Sequence, residues 1–299
     1  MRLLGAQLVT DTLAGLAQRA PGPRVAAGNS FTELPARTEA ITIPTRHGEI
    51  PATVYWPEPS PTAPPVYLNF HGGGWVVRHP EQDDPLCRYL AAEAGVAVIN
   101  VDYDVAPQRR FPVPVEEAYD AVAWAAGPGH RWDGSRLCVG GQSAGGSLAA
   151  AAARLALELG RPAISLQVLH YACLDIATPS RDKRLAGAPV RTGPMDHVFG
   201  AAYIPSDAVK RDRLASPAWH SNTGDLTRIA PALLITCALD LLQDEGRVYA
   251  GRLAAAGALR EHHDLPGAEH NYNQVSRDRA LVERGYALIA KHVIAATEV

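Results

Sequence analysis

The 299 residues predict an α/β protein built on a mostly parallel sheet. Two patterns carry that prediction. Strand-like and helix-like segments alternate through the middle of the chain, and the later strand-like runs are almost wholly apolar, as in a sheet covered on both faces. A third observation sets the style of the fold: Gly141-Gln142-Ser143-Ala144-Gly145 stands where an apolar run, Leu137-Cys138-Val139, meets an alanine-rich helical stretch. A serine between glycines at such a corner is the pattern of a nucleophile elbow, which projects the hydroxyl above a sheet. Alone, the same letters also describe a tight strand-to-helix turn with an incidental serine.

Taken in order, Met1–Ala20 places Leu3, Leu4, Leu8, Leu13, Leu16 and Ala17 at helical intervals, interrupted by Gln7 and Asp11. It reads as an amphipathic helix, not an export signal. Residues 20–37, rich in Pro, Gly and Ala, read as a loop. Ala40–Ile43 and Ala52–Trp56 are strands around a hairpin turn at Arg46-His47-Gly48-Glu49, and the proline-rich Pro57–Pro65 is an extended connection. Val66–Phe70 is a strand, Pro85–Ala94 a helix, Val96–Val101 a strand and Val113–Ala126 a helix. After the elbow come the helix Ala144–Leu159, strands over Ile164–His170 and Ala232–Cys237, and a strand-like run after Gly257 that holds His262 and His263. The last helix spans Arg277–Ala296. Between two of these strands, Ile176 to Leu226 has charge clusters, no clear strand, and helical stretches near Pro194–Ala202 and Ser206–Arg213. It is too long for an ordinary loop and reads as a small cap over the C-terminal edge of the sheet, where open α/β folds bind ligands.

Composition excludes several classes. Apolar residues form 47% of the chain and charged residues 20%, with 28 basic against 31 acidic side chains. A large core is available, and nothing suggests nucleic acid or an anionic membrane surface as a partner. No run approaches the ~18 apolar residues of a membrane span. Cys87, Cys138, Cys173 and Cys237 are widely spaced and read as buried free thiols in a reducing compartment. A soluble cytoplasmic protein is expected.

A nucleophilic serine needs a base, a group that orients the base, and an oxyanion hole. In this kind of fold the order along the chain is Ser, then Asp or Glu, then His. Asp240, a few residues beyond the strand Ala232–Cys237, is the acid candidate. Asp244 and Glu245 compete with it but fit the first turn of a helix. Of the eleven histidines, His270 is the base candidate, in the loop Pro266-Gly267-Ala268-Glu269-His270-Asn271 before the last helix. His71-Gly72-Gly73-Gly74-Trp75 directly follows the strand Val66–Phe70, and its glycines let backbone N–H groups converge on one point. Gly72 and Gly73, with Ala144, are the expected oxyanion donors, and His71 is expected to brace the loop. Trp75 could line the substrate site or belong to the core.

These residues together resemble the hormone-sensitive-lipase family of α/β-hydrolases. Supporting marks are Asp102-Tyr103, Ala106-Pro107, Phe111-Pro112, Ser143-Ala144-Gly145-Gly146, Ser216-Pro217, and Gly267 to His270. The resemblance implies the α/β-hydrolase fold: a mostly parallel eight-stranded sheet flanked by helices, with a helical cap. The cap would comprise residues 1–40 and 177–222, and the catalytic core residues 41–176 and 223–299. It implies a Ser143-Asp240-His270 triad working without cofactor or metal, and hydrolysis of short- to medium-chain carboxylic esters. A homodimer is consistent with it, although no pairing edge strand is identifiable. Two rivals use the same scaffold: a specialised deacetylase, amidase or lyase, and a non-catalytic ligand-binding protein that would lack the histidine.

The chain also departs from the family. Gln142 stands where Asp is usual, Asp104 where Arg is usual, Gln108 where Glu is usual, and Asn271 where Gly is frequent. Gln142, Asp104 and Gln108 suggest one rewired support network behind the nucleophile. A buried Asp104 would then need a cationic or hydrogen-bonding partner, and Arg109 and Arg110 are near in sequence.

Overall fold

The structure, a computed structural model, describes residues 2–20, 25–59, 62–183 and 194–298. Parts of three expected segments lie outside the described residues: 21–24 of the first loop, 60 and 61 of the proline-rich connection, and 184–193 of the long excursion. The elements are α1 (Arg2–Arg19), β1 (Arg37–Thr45), β2 (Gly48–Trp56), β3 (Pro65–Phe70), α2 (Asp84–Ala94), β4 (Ala97–Val101) and α3 (Val113–Ala125). They continue with β5 (Asp133–Gln142), α4 (Ala144–Leu159), β6 (Leu166–His170), α5 (Pro194–Tyr203), α6 (Asp207–Lys210) and β7 (Ala232–Leu239). The chain ends with α7 (Gln243–Ala255), β8 (Leu259–Glu269), α8 (Tyr272–Val275) and α9 (Arg279–Thr297).

The eight strands form one sheet in the order β1-β2-β4-β3-β5-β6-β7-β8. β2 is antiparallel to both β1 and β4, and every other pairing is parallel. The β1–β2 hairpin pairs Thr45 with Gly48, and Gly48 takes φ +126°, open to glycine alone at no steric cost. β3, β4 and β6 are buried along their whole length, which is why they read as largely apolar runs interrupted only by the buried Asn69, Asn100, Gln167 and His170.

Each face of the sheet has its own apolar cluster. On one side α3, α4 and α7 pack down through Ala118, Ala121, Leu148 and Leu253. On the other, α2 and α9 bring Leu86, Leu90, Val282, Ile289 and Val293. The alanines Ala149–Ala153 of α4 are all essentially buried. Small side chains there let the helix sit close on the sheet directly behind the elbow, and alanine costs nothing in helix propensity. α1 packs against α5. All four cysteines are free; Cys87, Cys138 and Cys237 are buried and Cys173 partly so.

Most elements lie within a few residues of the sequence expectation, and the larger differences are these. β8 runs on to Glu269, so Pro266–Glu269 is strand, paired as far as Leu239↔Glu269 after a register shift. The short α8 was not anticipated. The expected helix over Ser206–Arg213 contracts to the single turn α6, and the last helix starts two residues later, where the Asp278 carboxylate caps the N–H of Leu281. Among the described residues, no helix is long and apolar enough to cross a membrane.

Candidate active site

Ser143 sits between the end of β5 and the start of α4 with φ 54° and ψ −116°. Non-glycine residues rarely occupy that region, and strain of this kind is characteristic of functional turns. The elbow is held by backbone bonds: the Ser143 N–H donates to the His170 carbonyl at 3.0 Å, and the Cys173 N–H donates to the Ser143 carbonyl at 3.1 Å. Space explains the flanking glycine. A Cβ on Gly145 would stand 1.8 Å from the Phe70 carbonyl oxygen of β3, so the helix could not approach the sheet with any side chain there. Gly145→Ala is accordingly expected to destabilise the fold by about 3 kcal/mol or more, beyond ordinary overpacking. A urea unfolding midpoint unchanged from wild type would contradict this.

The sequence-predicted partners converge on this serine. Ser143 Oγ lies 3.0 Å from His270 Nε2, and His270 Nδ1 lies 2.7 Å from Asp240 Oδ2. Asp240 is buried, and its other oxygen accepts the Leu242 N–H at 3.0 Å, which fixes the carboxylate's rotation. The Tyr171 ring meets the His270 imidazole edge-on, with centroids 5.0 Å apart.

The competitors are used elsewhere. Asp244 is exposed and pairs with Arg247. His262 bonds Thr236, and His263 lies beside Glu261. Glu245 has a structural role that the sequence did not disclose. Buried, it accepts the N–H groups of Leu174 at 2.7 Å and Asp175 at 3.2 Å and forms an ion pair with Lys183. It thereby ties α7 to the chain leaving β6.

The glycine loop after β3 is braced as expected. His71 is fully buried, stacks on Tyr103 at 4.3 Å and lies with Nδ1 2.6 Å from the Gly72 carbonyl. Burial pushes its pKa down to about 4, so at neutral pH the ring is uncharged and Nδ1–H donates to that carbonyl. The Tyr103 hydroxyl donates to the His71 carbonyl at 2.8 Å. Gly73 turns at φ +117°, where a Cβ would meet the Val77 carbonyl oxygen at 2.5 Å.

A cavity of about 820 Å³ opens above Ser143. Gly73, Gly74 and Ala144 line it together with Ser143, Asp240 and His270. Gly72 does not: it is buried behind the loop, its carbonyl also accepting from Gln82 Nε2 at 3.0 Å. Trp75 fits both of its readings. It is 95% buried and stacked on Tyr203 at 4.6 Å, and it also lines the cavity.

The departures from the family pattern do not form one network. Gln142 Oε1 lies 2.6 Å from the Tyr171 hydroxyl and accepts from Asn273 Nδ2 at 2.6 Å. The Tyr171 hydroxyl is also 2.5 Å from Asn273 Oδ1. This buried triangle joins the residue before Ser143 to the segment just after His270. Asp104 lies elsewhere, half-buried, with Arg109 at 3.4 Å and Arg78 at 3.5 Å. The expected cationic partner is therefore present in Arg109, joined by Arg78. Arg110 instead pairs with Asp11 of α1 at 2.7 Å. Gln108 bonds Gln18 of α1. No hydrogen bond links Asp104 to Gln142 among the described residues.

One carboxyl behind the site was missed entirely. Asp83 is fully buried and accepts from Asn69 Nδ2 at 2.8 Å, while its Oδ1 has no partner among the described residues. Burial pushes its pKa up to about 7, and burial likewise raises Glu117 to about 7. A carboxyl whose folded pKa exceeds its unfolded value near 3.9 stabilises the fold fully at low pH. That contribution declines as pH rises from about 4 to about 7 and is then constant. Asp83→Asn keeps the acceptor for Asn69 and removes the ionisation. It is expected to shrink the drop in melting temperature between pH 5 and pH 8; an unchanged drop would show that Asp83 is already ionised in the fold.

Comparison with known proteins places the chain in a family. A model of the α/β-hydrolase-fold family matches residues 67–274. Among similar proteins, a carboxylesterase of Mycobacterium tuberculosis is 32% identical over 75% of this chain and 71% of its own length. An ethyl acetate hydrolase of Pseudomonas putida is 32% identical over 84% of this chain and 80% of its own. Among solved structures, an esterase of Pyrobaculum calidifontis superposes with a TM-score of 0.81 at 30% identity, covering 100% of this chain and 94% of that one. An esterase of Pseudomonas putida gives 0.82 at 29%, covering 97% and 89%. The chain therefore belongs to the hormone-sensitive-lipase family of α/β-hydrolases. Within that class it is a carboxylic ester hydrolase.

Proposed function

We propose that the protein hydrolyses short- to medium-chain carboxylic esters through an acyl-enzyme on Ser143. The observation that carries this is the continuous path from Ser143 Oγ through the His270 imidazole to Asp240, at 3.0 and 2.7 Å, on the floor of the cavity. Both lengths are within range for a nucleophile, its base and an orienting carboxylate.

In the first step His270 Nε2 takes the Ser143 proton as Oγ attacks the ester carbonyl. Asp240 holds Nδ1–H and stabilises the imidazolium that forms. The developing oxyanion would be met by the N–H groups of Ala144 and Gly73, with Gly74 beside them, because these residues line the cavity and Gly72 does not. Gly72 acts through its carbonyl, which anchors the loop. His270 then gives its proton to the departing alkoxide. A water molecule deprotonated by the same nitrogen attacks the acyl-enzyme and releases the acid.

Trp75, stacked on Tyr203, offers a flat apolar wall for the substrate. The helices of residues 1–40 and 177–222 act as the cap and the remainder as the catalytic core. Gln142, Asp104 and Gln108 all lie outside the cavity lining. Their substitution alters the support of the site and not what a substrate meets, which favours ester hydrolysis over a deacetylase, amidase or lyase. A series of 4-nitrophenyl esters of increasing acyl length, with a matched amide, tests this. Turnover of the short and medium esters is expected. Faster cleavage of the amide, or no labelling of Ser143 by a phosphonate, would overturn it.

A further inference from the structure

We propose that the ester this enzyme handles best carries a negative charge, a carboxylate at a distance from the scissile bond. The inference rests on the esterase reading above and adds a class of substrate to it. It comes from the wall of the cavity formed by the chain between β6 and β7.

Four cationic side chains of that chain line the cavity, Arg181, Lys183, Lys210 and Arg211, against a single lining carboxylate, Asp207. Two of the four are occupied. Lys210 Nζ bonds Asp207 at 2.9 Å, and Lys183 is paired with Glu245 behind the wall. Arg181 has only the exposed Asp182 at 3.8 Å. Arg211 has no carboxylate within ion-pair distance among the described residues. Its guanidinium sits over the Trp219 ring, 5.6 Å from the centroid, and Trp219 lines the same cavity. A cation held on an aromatic face loses less freedom on meeting an anion than a free side chain would. Asp207 is held below its usual range first by Lys210, with Arg211 adding to the effect, so one carboxylate faces two cations.

The sheet side reduces this excess without cancelling it: Asp240 spends its charge on His270 at 2.7 Å, and Glu269 is the one other lining carboxylate among the described residues. A cleft with one sign of charge in excess and low-dielectric walls raises the local concentration of the opposite ion. A neutral ester gains nothing from that arrangement; a substrate carboxylate reaching Arg211 gains a charge-assisted bond.

The test uses two matched pairs, because the carboxylate could sit on either part of the ester. Monoethyl glutarate is compared with ethyl hexanoate for the acid side, and 3-acetoxybenzoate with phenyl acetate for the alcohol side. In at least one pair the anionic ester is expected to have the higher kcat/KM by about tenfold in low salt. That ratio should fall towards one in about 0.5 M salt, where the screening length is only a few ångströms. Arg211→Gln should lower the same ratio severalfold. The proposal is overturned if the neutral ester is preferred in both pairs, or if the preference ignores both salt and Arg211→Gln. If all four esters resist cleavage and a phosphonate fails to label Ser143, the esterase reading falls and takes the proposal with it. Cleavage of the neutral esters alone removes the proposal and leaves that reading standing.

Discussion

Ser143→Ala is expected to lower kcat by roughly four to six orders of magnitude while leaving the fold intact. The hydroxyl makes one contact that matters, to His270 Nε2 at 3.0 Å, and alanine adopts φ 54° no less readily than serine. The elbow's backbone bonds to His170 and Cys173 do not involve the side chain, so the melting temperature should change little. Any residual rate would come from the oxyanion donors and substrate positioning, which survive the substitution. Labelling by a phosphonate should vanish with turnover. Near-native hydrolysis by the variant would remove Ser143 from the mechanism.

Asp240→Asn is expected to cost roughly three to four orders of magnitude in kcat, through a proton rather than a lost contact. The Leu242 N–H, 3.0 Å from Asp240 Oδ1, requires an acceptor at that position. An asparagine would therefore place its oxygen there and turn its NH2 towards His270. His270 Nδ1 would have to accept, which puts the ring proton on Nε2, facing Ser143. The imidazole then has no lone pair with which to take the serine's proton. Asp240→Ala leaves the tautomer free and should be no worse than the asparagine variant, although asparagine is the closer isostere. If Asp240→Asn retains more than about a tenth of wild-type kcat, the orienting role belongs to another group.

The parts of the site that could be read from sequence are those written locally. Gly145 and Ser143 carry their geometry in five consecutive residues, and the glycine loop follows its strand without a gap. Asp240 and His270 were found from chain order and from their place just after strands. The oxyanion donors were harder, because three successive glycines do not say which N–H groups face the cavity. Gly72 is held from ten residues downstream, by Gln82 donating to its carbonyl, a contact the glycines themselves do not announce. Glu245 read as a helix-start acid because its partners, Leu174, Asp175 and Lys183, lie some 60 to 70 positions away. Asp83 gave no signal, since nothing in Gln82-Asp83-Asp84 tells which carboxyl is driven into the interior. The end of β8 was misplaced for another reason: Pro266 and Gly267 are turn-formers by propensity, and pairing with β7 overrides them on this edge strand. The fold's alternation and its buried parallel strands were legible throughout, because burial on both faces leaves its mark in each strand's own composition.

The Gln142–Tyr171–Asn273 triangle has a consequence for how the enzyme fails. Ser143 and His270 are 127 positions apart, yet the residue before one and the residue three after the other share a hydrogen bond at 2.6 Å in the buried interior. Neither partner can drift without leaving a buried amide unmet, at a cost of about 1–3 kcal/mol per group. The nucleophile and its base therefore belong to the same cooperative unit as the centre of the sheet. Of the four cations on the wall, Lys183 is tied to α7 through Glu245, Lys210 pairs within its own turn with Asp207, and Arg181 and Arg211 are exposed. Under heat or denaturant this enzyme would become indiscriminate before it became inert.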